Sequence, residues 1–415
     1  MTNRKNWIKT GLQNVALFMF SLVFILLIGE WLFPKYLNKV PFRLYGGVDN
    51  NLRVLAQYSK QSVIPENYIA IFGDSNSVGV GDLYIDLSKG NGDWYPDYAP
   101  AHFLHNKLET DVVSFGFAGA GSLDGIWSGP IKQFEYINSM GFDLKPPKTI
   151  LVLFYEGNDI GNNLQFIREN YKGNEAIGEL QHSVKFNEWL NRQFQNSITE
   201  YSAGFREGFV FTNFLIKSVE NIFFEKSKQG EEFERIIFPA IPIAEAVIGG
   251  KAVPLPVHLQ APPLFGVTPF EKKRGFSDDG LPIGYYIFER AIKKTKEFFS
   301  SSEIKLIYLP STLTSYKLNS PTVSFRGNMG DGGIADSKNL TQRHLEVCKE
   351  ILKISQKLNI SFFDTSQYLR EASSKGYIHG PKDWDHLNES GYRALSDSIS
   401  EFLLHPNKHY ENCIN

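Results

Sequence analysis

The chain has 415 residues, 42% of them hydrophobic and 21% charged, a globular composition able to bury more than one ordinary core. A net charge of -2 and a pI near 6.5 exclude an electrostatic case for nucleic-acid binding. The two cysteines, Cys348 and Cys413, lack the paired spacing of a zinc site or a redox motif. Aromatic residues make up 14%, which reads first as core and membrane-interface anchoring and second as a cleft that stacks on sugars.

Taken from the amino terminus, Val15–Phe33 (VALFMFSLVFILLIGEWLF) carries a single charge, Glu30. A helix needs about 20 apolar residues to cross a bilayer, so the run fits one span. Its length, and the lack of a small-x-small cleavage pattern before Pro34, favour an uncleaved anchor over a signal peptide. Arg4, Lys5 and Lys9 precede the span while Lys35, Lys39 and Arg43 follow it, so flanking charge barely discriminates topology. The expected organisation is a membrane segment over 1–36 and a large domain over 37–415, outside the cytoplasm and periplasmic in a Gram-negative cell.

Short apolar runs follow at Tyr68–Phe72, Asp111–Phe115, Thr149–Tyr155, Ile304–Leu309 and Ile360–Phe363, with helical patterns such as Tyr286–Phe299 and Gly391–Leu404 among them. Alternation of this kind predicts an α/β fold with a parallel sheet covered on both faces. It stops between Asn163 and Gly284, where polar-aromatic helices (His182–Asn196, Glu207–Phe224), a charged linker (Glu225–Glu234) and a proline-rich stretch occur. Within that stretch Gly249-Gly250 joins two short apolar runs and predicts a β-hairpin. The region 163–284 is expected to be an insertion forming a lid or cleft wall.

Four features carry candidate chemistry. Ser75 follows the first predicted strand in Gly73-Asp74-Ser75, where an open α/β sheet places its reactive groups. Ser114–Asp124 (SFGFAGAGSLD) follows the second, and its glycines allow backbone N–H groups close to a reacting carbonyl. Asn158 follows the third and suits an oxyanion donor, or a turn within Gly157-Asn158-Asp159. Asp383-Trp384-Asp385-His386 precedes the last helix and offers a base three residues from an orienting carboxylate. Asp385 is the alternative acid, disfavoured because adjacent side chains orient one another poorly. His102 and His105 lack a metal-ligand set, and neither metal nor cofactor is expected. Trp94, Tyr95 and Trp127 are candidate sugar-stacking rings or core anchors. Cys348 reads as a buried small hydrophobe within Thr341–Leu358; a bond to Cys413 would need an oxidising compartment.

In this order the four features resemble the SGNH hydrolases, also called the GDSL esterase family. The resemblance covers roughly Tyr68–Ser128, Lys148–Asn162 and Glu303–Leu404, and implies a three-layer, flavodoxin-like hydrolase fold. It implies Ser75 as nucleophile, Asp383 and His386 as its acid and base, and the Ser75 N–H, Gly119 and Asn158 as oxyanion hole, with Gly116 and Gly121 near enough to rival Gly119. Asn76 departs from the leucine of the family name, and Glu156 stands where another glycine is common. The activity implied is a membrane-anchored serine esterase acting on an acylated, possibly O-acetylated, extracytoplasmic glycan or lipid. An O-acyltransferase of envelope polysaccharide using the same site is the alternative, and a non-catalytic glycan-binding or assembly protein is the second.

Overall fold

The computed structural model describes residues 2–197, 204, 206–224, 244–266, 272–273, 276–327, 332–408, 410 and 412–414. Five strands make the central sheet: β1 (Ile69–Phe72), β2 (Val112–Ser114), β3 (Thr149–Tyr155), β4 (Glu303–Leu309) and β5 (Ser361–Asp364). Every pairing is parallel, in the order β5-β4-β3-β1-β2. Each strand matches an expected apolar run to within a residue or two. β1 and β3 are buried at every position, as strands covered on both faces must be.

The period-2 alternation sends successive side chains of these strands into two separate cores. Ala70, Phe72, Ile150, Val152 and Phe154 pack with helices Gly129–Ser139 and Leu281–Phe298. Ile69, Ile71, Leu151, Leu153 and Tyr155 pack with Pro100–Leu108 and Glu389–Leu404 on the opposite face. The architecture is therefore α/β with a helical layer on each side of the sheet. From β1 the chain passes to β2 on one flank, then crosses to β3 on the other. That reversal leaves a crevice beyond the carboxyl ends of β1 and β3, the place where such sheets bind ligands.

The amino-terminal helix runs over Thr2–Leu32. Within Lys9–Lys39 the hydropathy averages 2.4 over a stretch that the rest of the chain leaves uncovered, long and apolar enough to span a bilayer. Glu30, the one charge within Val15–Phe33, has a local partner. Glu30 accepts hydrogen bonds from the backbone N–H groups of Phe211 (2.9 Å) and Thr212 (2.8 Å), at the start of helix Val210–Phe224. Those N–H groups have no acceptor within their own helix, and the positive end of its dipole favours a carboxylate. Gly29 permits the approach, since a Cβ there would lie 2.1 Å from the Phe211 ring.

The insertion is more deeply built in than a lid. Helix Val184–Asn196 buries Phe186, Leu190 and Phe194 in the first core, and the Trp127 indole N–H donates to the Phe194 carbonyl (2.9 Å). The expected hairpin pairs Glu245–Ile248 with Lys251–Pro254 around Gly249 and Gly250, both at positive φ (59° and 76°). The charged linker at 225–234 and the start of the proline-rich stretch lie outside the described residues. A second small sheet, formed by Leu259–Gln260, Thr322–Arg326 and Gly332–Asp336, was not expected. Cys348 and Cys413 are joined in a disulfide, with Cα atoms 5.5 Å apart, tying the carboxyl terminus to helix Ser337–Leu358.

Candidate active site

Ser75 is the first residue of a one-turn helix, Ser75–Val78, separated from β1 by Gly73 and Asp74. Gly73 makes the exit from the strand, at φ 151° with the Leu153 carbonyl 3.0 Å from where a Cβ would sit. Asp74 caps the turn: its carboxylate accepts from the Asn76 backbone N–H (2.9 Å). The sequence GDSN thus turns the chain sharply and leaves the Ser75 hydroxyl at the mouth of the crevice, while most of the residue is buried (6% exposed).

His386 arrives from the loop before helix Glu389–Leu404. Its Nε2 lies 2.8 Å from Ser75 Oγ, and its Nδ1 lies 2.7 Å from Asp383 Oδ2. With Nδ1–H donated to the carboxylate, Nε2 is bare and accepts the serine proton, as a general base requires. Asp383 is itself fixed by the Asp385 backbone N–H at its other oxygen (2.9 Å). Asp385, the alternative acid, is engaged elsewhere, in an ion pair with Arg326 (2.7 Å). Ser75, His386 and Asp383 therefore form one continuous chain of hydrogen bonds.

Burial alone would lower the His386 pKa. The hydrogen bond and charge of Asp383, with Asp74 and Asp385 behind it, outweigh burial and raise it above the usual 6.5. Burial pushes the Asp383 carboxyl up, but the His386 bond and charge hold it below its ordinary value. If His386 serves as base, kcat/KM must fall as pH drops through this raised pKa, because the protonated ring cannot accept. Asp383→Asn is expected to move that acid limb to lower pH. A pH–rate profile checks this, and an unmoved limb would remove Asp383 from the role.

Asn158 follows β3, and its Nδ2 donates to Asp74 Oδ2 (3.1 Å), which leaves the second amide N–H uncommitted. The glycine-containing loop after β2 runs between the β1 and β3 ends: Phe117 N–H donates to the Gly73 carbonyl (3.1 Å), and Asn162 donates to the Ala120 carbonyl (3.2 Å). Gly119 is the exposed tip of this loop, at φ 75° with open space where a Cβ would stand. Gly116 is packed against Ser77 and Gly121 against Asn162, so of the three glycines only Gly119 projects into the open.

Several supports were invisible in the sequence. Asp82 accepts from the backbone N–H groups of Lys382 (3.0 Å) and Asp383 (2.6 Å) and so holds the His386 loop from 300 residues away. Thr312 Oγ1 donates to the Trp384 carbonyl on the same loop (3.2 Å), and Tyr155 OH donates to Gln260 from the unexpected small sheet. Glu156, at the position where the resembling family often carries glycine, is fully buried beneath β4. There it accepts from Tyr308 OH (2.6 Å), His344 Nδ1 (2.8 Å), Ser311 N (2.8 Å) and Thr314 Oγ1 (2.6 Å).

Of the other candidates, Trp127 is a core anchor, whereas Trp94 and Tyr95 are exposed, with Tyr95 OH donating to the Lys39 carbonyl (2.8 Å). His102 and His105 do not converge: His102 is sandwiched by Tyr58 and Tyr98, and His105 Nδ1 bonds the Thr110 carbonyl (2.7 Å). No family model matches the chain, and no curated protein matches it.

Proposed function

We propose that the protein is a membrane-anchored serine esterase of the SGNH type, acting on an acyl ester of an extracytoplasmic glycan or lipid. The single observation that carries this reading is the Ser75–His386–Asp383 chain, with both hydrogen bonds under 3 Å, at the switch point of the sheet. Ser75 Oγ attacks the ester carbonyl while His386 Nε2 takes its proton. The oxyanion is met by the Ser75 and Gly119 N–H groups and the free amide N–H of Asn158. His386 then protonates the departing alcohol, and the acyl group stays on Ser75. A water molecule, deprotonated by the same nitrogen, releases the acid. The apolar amino-terminal helix supports the anchor, and the Cys348–Cys413 disulfide fits an oxidising compartment for the catalytic domain.

The acyl-enzyme can also be opened by a sugar hydroxyl, which would make the protein an O-acyltransferase. The full-length chain in detergent, given p-nitrophenyl acetate with and without a polysaccharide acceptor, separates the readings. Release of free acetate alone is expected, whereas acetylated polysaccharide would replace hydrolysis with transfer. Absence of any Ser75-dependent turnover would replace both with a non-catalytic glycan-binding role.

A further inference from the structure

A cavity of about 870 Å³ is lined by Val78 and Val80, just after Ser75, and by Ser114 and Gly116–Ala118 at the end of β2 and after it. Its walls come from the segment that follows the membrane helix, from the chain after Ser75 (Val78, Val80) and from helix Pro100–Leu108. Two features distinguish it. Its charged lining is of one sign: Arg43, Arg53 and Lys89 contribute, and among the described residues no acidic side chain does. It also gathers polar groups without hydrogen-bond partners. Both ring nitrogens of His102 (2% exposed) and Oε1 of Gln133 (5% exposed) lack one, and the exposed Arg53 guanidinium and the Tyr98 ring stand at the same lining.

Buried polar groups in a folded protein are nearly always paired, so this many in one wall calls for an occupant. Burial, with His105 nearby, drives the His102 pKa down to about 3. The ring is therefore neutral and offers one donor and one acceptor, the complement of a hydroxyl. Tyr98 and Tyr84 add aromatic faces at the same wall.

We propose that this cavity binds the saccharide part of the substrate and that the sugar is anionic, a uronate or similar carboxylate-bearing ring. Arg53 meets the carboxylate, His102 and Gln133 meet ring hydroxyls, and Tyr98 lies against the sugar face. Val78, on the one-turn helix that Ser75 begins, and Val80 just beyond it line the cavity, which sets a sugar held there beside the nucleophile's own turn. The assignment of the bound sugar as substrate rests on the esterase reading; binding itself does not.

The test is calorimetric titration of the full-length Ser75→Ala protein in detergent with hexagalacturonate, cellohexaose and inorganic phosphate. Hexagalacturonate is expected to bind at least tenfold more tightly than either other probe. Arg53→Gln, at an exposed side chain whose loss leaves the core intact, is expected to weaken it at least tenfold, and Lys145→Gln on the remote surface to leave it unchanged. Equal binding of cellohexaose overturns the charge selectivity, and equal binding of phosphate overturns the saccharide. Indifference to Arg53→Gln, with folding confirmed by thermal melting, overturns the location. Ester turnover by the unsubstituted protein without uronate binding removes this proposal and leaves the esterase reading standing. Uronate binding without turnover does the reverse.

Discussion

Ser75→Ala is expected to lower kcat for an activated acetyl ester by about 10⁶-fold, and His386→Ala by a similar factor. The two changes together should cost little more than either alone. The physical reason is that Ser75 Oγ and His386 Nε2, 2.8 Å apart, act as one unit: the hydroxyl is a poor nucleophile until the ring takes its proton. Without the serine there is nothing for the base to activate. The residual rate then comes from oxyanion donors and substrate positioning. Stopped-flow kinetics with the single and double variants measures this directly. A loss under tenfold in Ser75→Ala, or multiplicative losses in the double variant, would show that the hydrogen-bonded chain is not the reacting centre.

What could be read ahead of the structure, and what could not, follows from how locally each feature is encoded. β1 and β3 were legible because strands buried on both faces are continuous apolar runs, and Ser75 and Asn158 because they fall directly after such runs. Local stereochemistry favours Asp383 over Asp385 as the partner of His386, and the structure sets Asp383 against His386 while Asp385 pairs with Arg326. Thr322–Arg326 and Gly332–Asp336 are harder to read because each offers only two apolar residues, Val323 and Phe325 in one and Ile334 and Ala335 in the other. Asp82 and Glu156 escaped for a different reason. Their partners stand far along the chain, and nothing in the residues around an isolated acid announces a distant loop that needs fixing. The lid or cleft wall expected over 163–284 rests on polar-aromatic helices, and in one of them the stripe of Phe186, Leu190 and Phe194 is buried on its inner side.

Glu156 sets the second large expectation, on stability. Its carboxylate is fully buried and collects four donors: two side chains and one backbone N–H from Tyr308–Thr314, and the imidazole of His344. Burial by itself would raise the Glu156 pKa and lower that of His344. Mutual attraction, reinforced by the other donors, wins in both cases, so Glu156 is held below its ordinary value and His344 above it. Glu156→Ala strands four donors away from water and is expected to destabilise the domain by about 3–5 kcal/mol. The sign of the pH dependence follows from the two shifts. The Glu156 contribution is complete above the unfolded value of about 4.3 and is lost as pH falls through the depressed folded value. The His344 contribution is complete below about 6.5 and is lost as pH rises through its raised folded value. The stability difference between the unsubstituted protein and Glu156→Ala should therefore peak between about pH 4.3 and 6.5, measured by guanidinium unfolding across that range. Activity should fall as well, because Thr312 on the same segment holds the Trp384 carbonyl of the His386 loop. A difference that stays below 1 kcal/mol at every pH would mean that the four donors find other acceptors, and that Glu156 does not brace the floor of the site.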